Sequence, residues 1–212
     1  MVLGFITARR KRRQARPIAA EAESLAPGLM AEGRAALILL AHPGLDRSTA
    51  NAALLAAARK RGDVTVQDLY RAYPDFLIDV AAEQARLAAH PLIVLQFPIH
   101  WYSTPPLLKE WIDTVLLHGF AYGTASSQLR GKRLMLAVTA GSPETDYGER
   151  GLHRFTLAEF LRPLEATAHL CGMIWLPPFI LYGSSGLDPA ERAEAAAAYA
   201  ARLATTIAET RA

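Results

Sequence analysis

Cysteine and long hydrophobic runs are both scarce in this chain of 212 residues. The single cysteine, Cys171, excludes an intrachain disulfide and is typical of proteins in a reducing compartment. No run of eighteen apolar residues occurs, which excludes a membrane-spanning helix. The sequence therefore predicts a globular, cytoplasmic protein in which Cys171 is a buried thiol.

Acidic residues are missing from the first seventeen positions, which hold six of the chain's 23 basic residues. The rest of the chain has 17 basic and 20 acidic residues, so the body of the protein is mildly acidic and lacks a nucleic-acid-binding footprint. We expect residues 1–33 to form a basic, disordered N-terminal arm. Contact with the anionic inner face of a membrane and a misassigned start codon are the alternatives.

Several common site motifs are absent as well. The chain has no GxGxxG, GxxxxGK[ST], CxxC, HExxH or GxSxG pattern. Its six histidines are scattered, without the spacing of metal ligands. A dinucleotide-binding Rossmann fingerprint, a P-loop, a redox dithiol, a zinc protease and a serine hydrolase are therefore not indicated, and no metal site is predicted.

From residue 34 onward, apolar runs of strand length alternate with helical patterns. Strands are predicted at 35–41, 64–70, 91–97, 133–140 and 173–183, the last interrupted by Pro177 and Pro178, with the second nearer an edge. Helices are predicted at 48–60, 79–89, 105–119, 155–170 (broken or bent near Pro163) and 188–210. This alternation predicts one α/β domain over residues 34–212, a doubly wound five-stranded parallel sheet with helices on both faces.

Ligands of such sheets bind beyond the carboxyl ends of the strands, which directs attention to three loops. In the first loop, Ser48, Thr49 and Asn51 lie where a helix begins, so their hydroxyls and backbone amides could hold a phosphate. Arg47 adds a positive charge beside them. Serine and threonine also cap helices in general, so this loop alone fits a purely structural role equally well.

The second and third loops suit a flat ring and proton chemistry. Three prolines and two aromatic residues between 98 and 106 form a stiff wall directly after a buried strand. Ala140, Gly141 and Ser142 are small enough to let backbone approach a ligand. Tyr147 and His153 follow, and both can donate or accept a proton.

The segment FPIHWYSTPPLLKEWIDTVLLHGFAYG (97–123) resembles the NAD(P)H:quinone oxidoreductase family, which are flavoenzymes of flavodoxin-like fold. It is most similar to the ancillary proteins of glutathione-gated potassium efflux systems (Kef type). Residues 69–84 and 169–179 also resemble that branch. The resemblance covers about residues 35–183 and implies a flavin-binding domain of flavodoxin-like fold.

The resemblance also implies roles for particular residues. Flavin phosphate contacts are expected from His42, Ser48, Thr49, Ala50 and Asn51. The isoalloxazine ring is expected to lie against Pro98, Ile99, His100, Trp101 and Tyr102, with Thr139, Ala140, Gly141 and Ser142 closing over its other edge. Tyr147 and His153 match the pair that stabilises charge during hydride transfer. Residues 139–142 read TAGS where the family usually has TTGG, and the N-terminal arm has no counterpart.

The expected activity is hydride transfer from NAD(P)H through the flavin to a quinone-like acceptor, by a homodimer. FMN is expected and FAD remains open. A second hypothesis, from another functional class, is a regulatory ancillary subunit of a potassium efflux transporter, peripheral at the inner face of the membrane. A one-electron carrier of flavodoxin type and an azoreductase or nitroreductase are the remaining alternatives.

Overall fold

The computed structural model describes residues 34–211 and contains one parallel β-sheet. Its strands are β1 (Ala36–Leu40), β2 (Val64–Asp68), β3 (Leu92–Pro98), β4 (Arg133–Thr139), β5 (Ile174–Trp175) and β6 (Phe179–Leu181). The strand order is β2-β1-β3-β4-β5, and β6 also pairs with β4. All pairings are parallel, which confirms the predicted sheet, with β2 at an edge and the fifth strand divided at its prolines.

Six helices connect and cover these strands. They are α1 (Thr49–Arg59), α2 (Leu69–Ala72), α3 (Val80–Ala89), α4 (Pro106–Val115), α5 (Leu157–Leu170) and α6 (Pro189–Arg211). Successive side chains of a strand point to opposite faces, so each face of β1 enters a different core. Leu37 and Leu39 pack with residues of α3, α4 and α5, whereas Ile38 packs with α1 and α6. Helices therefore cover both faces, as the sequence predicts.

Side-chain caps account for several element boundaries. Asp79 caps α3 by accepting a hydrogen bond from the amide of Ala82. Thr156 and Glu159 form a reciprocal capping box at the start of α5. Asp188 accepts from the amides of Ala190 and Glu191 and begins α6. The predicted starts of α3 and α6 are thus confirmed, and α5 begins two residues later than predicted.

Two predicted ends and one predicted helix break also differ from the structure. The second strand ends at Asp68, because the Asp68 carboxylate accepts from the amide of Arg71 and starts the short helix α2. Helix α4 ends at Val115 rather than at Gly119, since the chain turns at Leu116. Helix α5 continues through Pro163, and Leu161 and Leu164, on either side of this proline, are buried in the core.

Cys171 is a free, buried thiol, and burial raises its pKa. Within residues 34–211, no helix is long and apolar enough to cross a lipid bilayer. The predicted basic arm, residues 1–33, lies outside the described residues.

Candidate functional site

A pocket of about 530 Å³ opens at the carboxyl edge of the sheet. It lies where the chain order reverses, since β2 flanks β1 on one side and β3 flanks it on the other. Its lining comes from the loops after β1, β3, β4 and β6, and includes His42, Arg47, Ser48, Thr49, Ala50, Asn51, Pro98, Ile99, His100, Thr139 and Gly141. The three predicted loops therefore meet at one site.

The amino end of α1 forms one wall of this pocket. Ser48 is the N-cap, and its Oγ accepts from the amide of Asn51 at 3.2 Å. The amides of Thr49 and Ala50 belong to the first turn and have no acceptor within the helix. The Arg47 guanidinium lies against Gly44, where an added Cβ would come within 2.9 Å of Arg47 Nη2. Free amides, the helix dipole and one guanidinium make this wall suitable for an anion.

A buried polar network fixes α1 to the sheet beneath the pocket. Asn51 Nδ2 donates to Thr139 Oγ1 at 2.7 Å, and Gln96 Nε2 donates to the Asn51 carbonyl at 3.1 Å. Tyr199 of α6 donates to Gln96 Oε1 at 3.3 Å. All four side chains are buried, so each needs such partners. Asn51 thus joins α1 to β3 and β4 and sets where the helix begins.

His42 is held as a neutral imidazole at the pocket wall. Its Nδ1 accepts from the amide of Gly44 at 3.1 Å, which places the ring hydrogen on Nε2. Burial lowers the pKa of His42, and His100 lowers it further. At neutral pH this side chain therefore presents one N–H donor and no charge.

The chain after β3 turns sharply away from the pocket. Ile99 continues the ladder by donating to the Thr139 carbonyl at 2.9 Å, and His100 and Ser103 form an isolated bridge. Between them, Trp101 and Tyr102 adopt positive φ angles of 45° and 64°. The Trp101 side chain is 93% exposed and Tyr102 is 44% exposed, and neither is part of the pocket lining. Of the five predicted wall residues, only Pro98, Ile99 and His100 line the pocket.

Tyr147 and His153 lie together on the third loop, beside Ser142. The Tyr147 and His153 ring centroids are 4.5 Å apart, and Ser142 Oγ is 3.0 Å from His153 Nε2. Burial, followed by Tyr102 and Asp146, raises the pKa of Tyr147, so its phenol stays protonated at neutral pH. Ala140 is buried, and neither it nor Ser142 lines the pocket. The Ser142 hydroxyl instead contacts His153.

The pocket also has lining residues from a loop that the sequence did not indicate. Ser184 and Ser185, from the loop after β6, line the pocket. Their loop is tied to the third loop, because the amide of Ser184 donates to the Ala140 carbonyl and that of Gly183 to the Ser142 carbonyl. A Cβ on Gly141 would lie 3.0 Å from Ser185 Oγ, so glycine allows the close approach. The GSSG sequence after the last strand was the available signal.

Metal chemistry finds no support in the part of the chain that the structure describes, where no group of three or more His, Cys, Asp or Glu side chains could hold an ion. His90, for example, is buried far from the sheet's carboxyl edge, with Nδ1 donating to the Arg86 carbonyl at 2.7 Å and Nε2 paired with Thr65. Its role is structural.

Comparison with known proteins agrees with this architecture. Residues 34–204 match the family described as having a flavodoxin-like fold. The glutathione-regulated potassium-efflux system ancillary protein KefG of Cronobacter sakazakii is 46% identical over 171 residues, 81% of this chain and 93% of that protein.

Two solved structures are similar as well. General stress protein 14 from Treponema denticola, in complex with FMN, is 41% identical with a TM-score of 0.76, covering 81% of this chain and 98% of that one. An NADPH-quinone reductase from P. pentosaceus is 33% identical with a TM-score of 0.72, covering 79% and 96%. The resemblance drawn from residues 97–123 is confirmed, and the chain belongs to the family of proteins with a flavodoxin-like fold.

Proposed function

We propose that the protein is an FMN-dependent oxidoreductase that transfers a hydride from NAD(P)H to a quinone-like acceptor. The observation that carries this proposal is the composition of the pocket at the carboxyl edge. An anion-binding helix terminus forms one end and residues 98–100 form the other, and Ser142, which follows the lining residue Gly141, contacts His153. A similar protein solved with FMN supports the cofactor, and another named as an NADPH-quinone reductase supports the activity.

The phosphate end of the pocket fits the flavin phosphate. The amides of Thr49 and Ala50 are available as donors, and Arg47 supplies the positive charge. His42 adds a neutral Nε2–H, because its other nitrogen is occupied by Gly44. Asn51 serves this end indirectly, since its side chain is engaged with Thr139 and Gln96.

The ring end fits a flat heterocycle with polar edges. Pro98 and Ile99 offer apolar surface and backbone groups on one side, and Gly141 and Ser185 approach from the other. The cavity of about 530 Å³ falls within the range of cofactor pockets, roughly 300–1,000 Å³. The FMN complex of a 41% identical protein favours FMN over FAD.

FMN supplies the hydride chemistry when bound, and the protein's part is to bind, orient and stabilise charge. Tyr147 stays protonated because burial raises its pKa, so it can donate a hydrogen bond to an oxygen that gains negative charge. His153 lies against it and can donate in the same way. We propose that Trp101 and Tyr102, which are exposed and lie outside the pocket lining, contact the bound ring or substrate from outside the pocket.

We also propose a homodimer. Three large apolar side chains of the second and third loops are exposed, namely Trp101 at 93%, Leu152 at 74% and Phe155 at 54%. Exposed large apolar side chains are typical of a surface that another chain covers. Size-exclusion chromatography with light scattering tests this, and a strict monomer in the active preparation contradicts it.

The second candidate function is regulation of a potassium efflux transporter at the inner face of the membrane, in an otherwise cytoplasmic protein. The specific observation is the 46% identity to KefG over 93% of that protein. An enzymatic and a regulatory role are compatible, because the pocket and the outer helical surfaces are separate parts of the fold. Co-purification of this protein with an antiporter encoded by an adjacent gene, with and without FMN, tests the regulatory role.

The decisive experiment for the enzymatic role is spectroscopic. Purified protein is expected to be yellow, to bleach with NADPH under anaerobic conditions and to recover its colour with menadione. Chromatography of the heat-released cofactor identifies FMN or FAD. Colourless protein that reconstitutes with neither flavin contradicts the proposal.

A further inference from the structure

Two serines reach the pocket from the loop after β6. Ser184 and Ser185 both line the pocket, together with residues of the loops after β1, β3 and β4. The amide of Ser184 donates to the Ala140 carbonyl at 2.9 Å, and the amide of Gly183 donates to the Ser142 carbonyl at 2.8 Å. These backbone hydrogen bonds fix the loop against the end of β4, so the positions of both serines are fixed as well.

The side-chain hydroxyls of these two serines are not engaged by the protein. Within residues 34–211 they make no hydrogen bond to another protein group, whereas the pocket hydroxyl of Thr139 accepts from the Asn51 side chain. The serines are not needed to begin α6 either, because the carboxylate of Asp188 accepts from two amides of the first turn of that helix. Both hydroxyls are therefore available to a ligand in the pocket.

The order of the strands places the serines beside the ring end of the pocket. Strand β4 lies between β3 and β6, so residues 139–141 are flanked by residues 98–100 on one side and by the serine loop on the other. Gly141 is the point of closest approach, because a Cβ at this position would lie 3.0 Å from Ser185 Oγ. A flat ring that lies against 98–100 and extends across Gly141 meets the serine hydroxyls with its far edge.

We propose that Ser184 and Ser185 donate hydrogen bonds to the polar pyrimidine edge of the flavin ring and thereby raise its reduction potential, an inference that rests on the proposed oxidoreductase activity. The carbonyl oxygen at this edge gains negative charge when the ring takes up a hydride, and a hydrogen bond to a charged acceptor is stronger than one to a neutral acceptor. None of the described residues that line the pocket is acidic, so no carboxylate of the lining opposes this charge. The two serines therefore favour the reduced ring over the oxidised ring.

Binding titrations locate the contact within the cofactor. Apoprotein is titrated with oxidised FMN, with riboflavin, which lacks the phosphate, and with lumiflavin, which lacks the ribityl chain as well. The double variant Ser184→Ala, Ser185→Ala is expected to bind all three about tenfold more weakly, since each ligand carries the ring and neutral hydrogen bonds are lost. Ser126→Ala, at an exposed serine outside the pocket, is the matched control and should change none of the affinities.

The reduction potential of bound FMN is a second readout, and it does not depend on turnover. Anaerobic equilibration with a reference dye measures it. In the double variant, the affinity for reduced FMN is expected to fall about tenfold further than the affinity for oxidised FMN, which lowers the potential by about 30 mV for a two-electron couple. Urea denaturation of the apoproteins should give the wild-type stability, because the two hydroxyls bind no other protein group within residues 34–211.

Several outcomes would overturn the inference. Weakening confined to FMN would place the serines at the phosphate, and weakening of FMN and riboflavin without lumiflavin would place them at the ribityl chain. Unchanged affinities or an unchanged potential would contradict the inference too, and a wild type that still reduces menadione would then leave the proposed activity intact. A wild type that binds flavin but transfers no hydride overturns the proposed activity, while the titrations still decide whether the serines hold the ring. A wild type that binds none of the three ligands overturns both.

Discussion

Asn51 Nδ2 donates to Thr139 Oγ1 at 2.7 Å, which joins the first turn of α1 to the last residue of β4. Because both side chains are buried, Thr139→Val leaves the Asn51 amide short of an acceptor. We expect the free energy of unfolding to fall by about 1–3 kcal/mol, the usual cost of an unpaired buried polar group. FMN should also bind more weakly, since α1 loses its fixed start. Urea denaturation and flavin fluorescence titration measure the two effects, and Thr139→Ser, which keeps the hydroxyl, is the control.

Arg47 provides a test of the phosphate end. Arg47→Ala is expected to weaken FMN binding by roughly 10–100-fold, as a hydrogen bond to a charged group contributes about 1.5–3 kcal/mol. Riboflavin, which lacks the phosphate, should bind equally well to the variant and the wild type. Arg59→Ala, at the opposite end of α1, is the matched control and should change neither affinity. Equal weakening of FMN and riboflavin binding contradicts a phosphate role for Arg47.

The histidines His42 and His90 predict how stability depends on pH. Burial is the main cause that lowers the pKa of each below the ordinary value of 6.5. Between the lowered folded-state pKa and 6.5, the unfolded chain binds more protons than the folded one, so stability rises with pH through that window and levels off above it. Denaturant titrations from pH 5 to 8 measure this slope. His90→Gln is expected to flatten the slope of stability against pH, even if the substitution lowers stability at every pH. An unchanged slope would show that His90 does not contribute to the pH dependence.

Glu83 of α3 joins this helix to β2 and α4. Its buried carboxylate accepts from Tyr73, Trp111, Gln67 and Arg86, and the neighbouring carboxylate helps to raise the pKa of Tyr73 to about 12, after burial. Glu83→Gln replaces one carboxylate oxygen, which accepts hydrogen bonds, with an amide NH2 group. This group is a donor and would face the donor groups of the neighbouring side chains.

We therefore expect Glu83→Gln to cost about 3–5 kcal/mol, as for a broken buried ion pair. Glu110→Gln, at an exposed position on α4, should cost less than about 0.5 kcal/mol. Thermal and urea unfolding of the two variants measure the difference. A Glu83→Gln variant as stable as Glu110→Gln would show that the four hydrogen bonds contribute little.

The sequence was enough to predict the sheet and those parts of the pocket that a single loop forms. Buried runs such as 91–97 carry their strand signal locally, and Ser48 lies at a helix start that periodicity reveals. Contacts between loops could not be predicted in this way. Ser185 approaches Gly141 because the loops after β4 and β6 are hydrogen-bonded to each other, and Ser142 meets His153 only through the folding of the long loop after β4. The outward direction of Trp101 likewise depends on a left-handed backbone that local composition does not signal.

The divided fifth strand has a consequence for association. Pro177 and Pro178 separate β5 from β6 and have no N–H to offer, so the outer border of the sheet beyond β4 lacks a continuous row of donors. Another extended chain cannot add to that border as a further strand, which protects the protein from edge-to-edge aggregation. A partner that approaches from this side, whether a second copy or a transporter, has to bind through side chains.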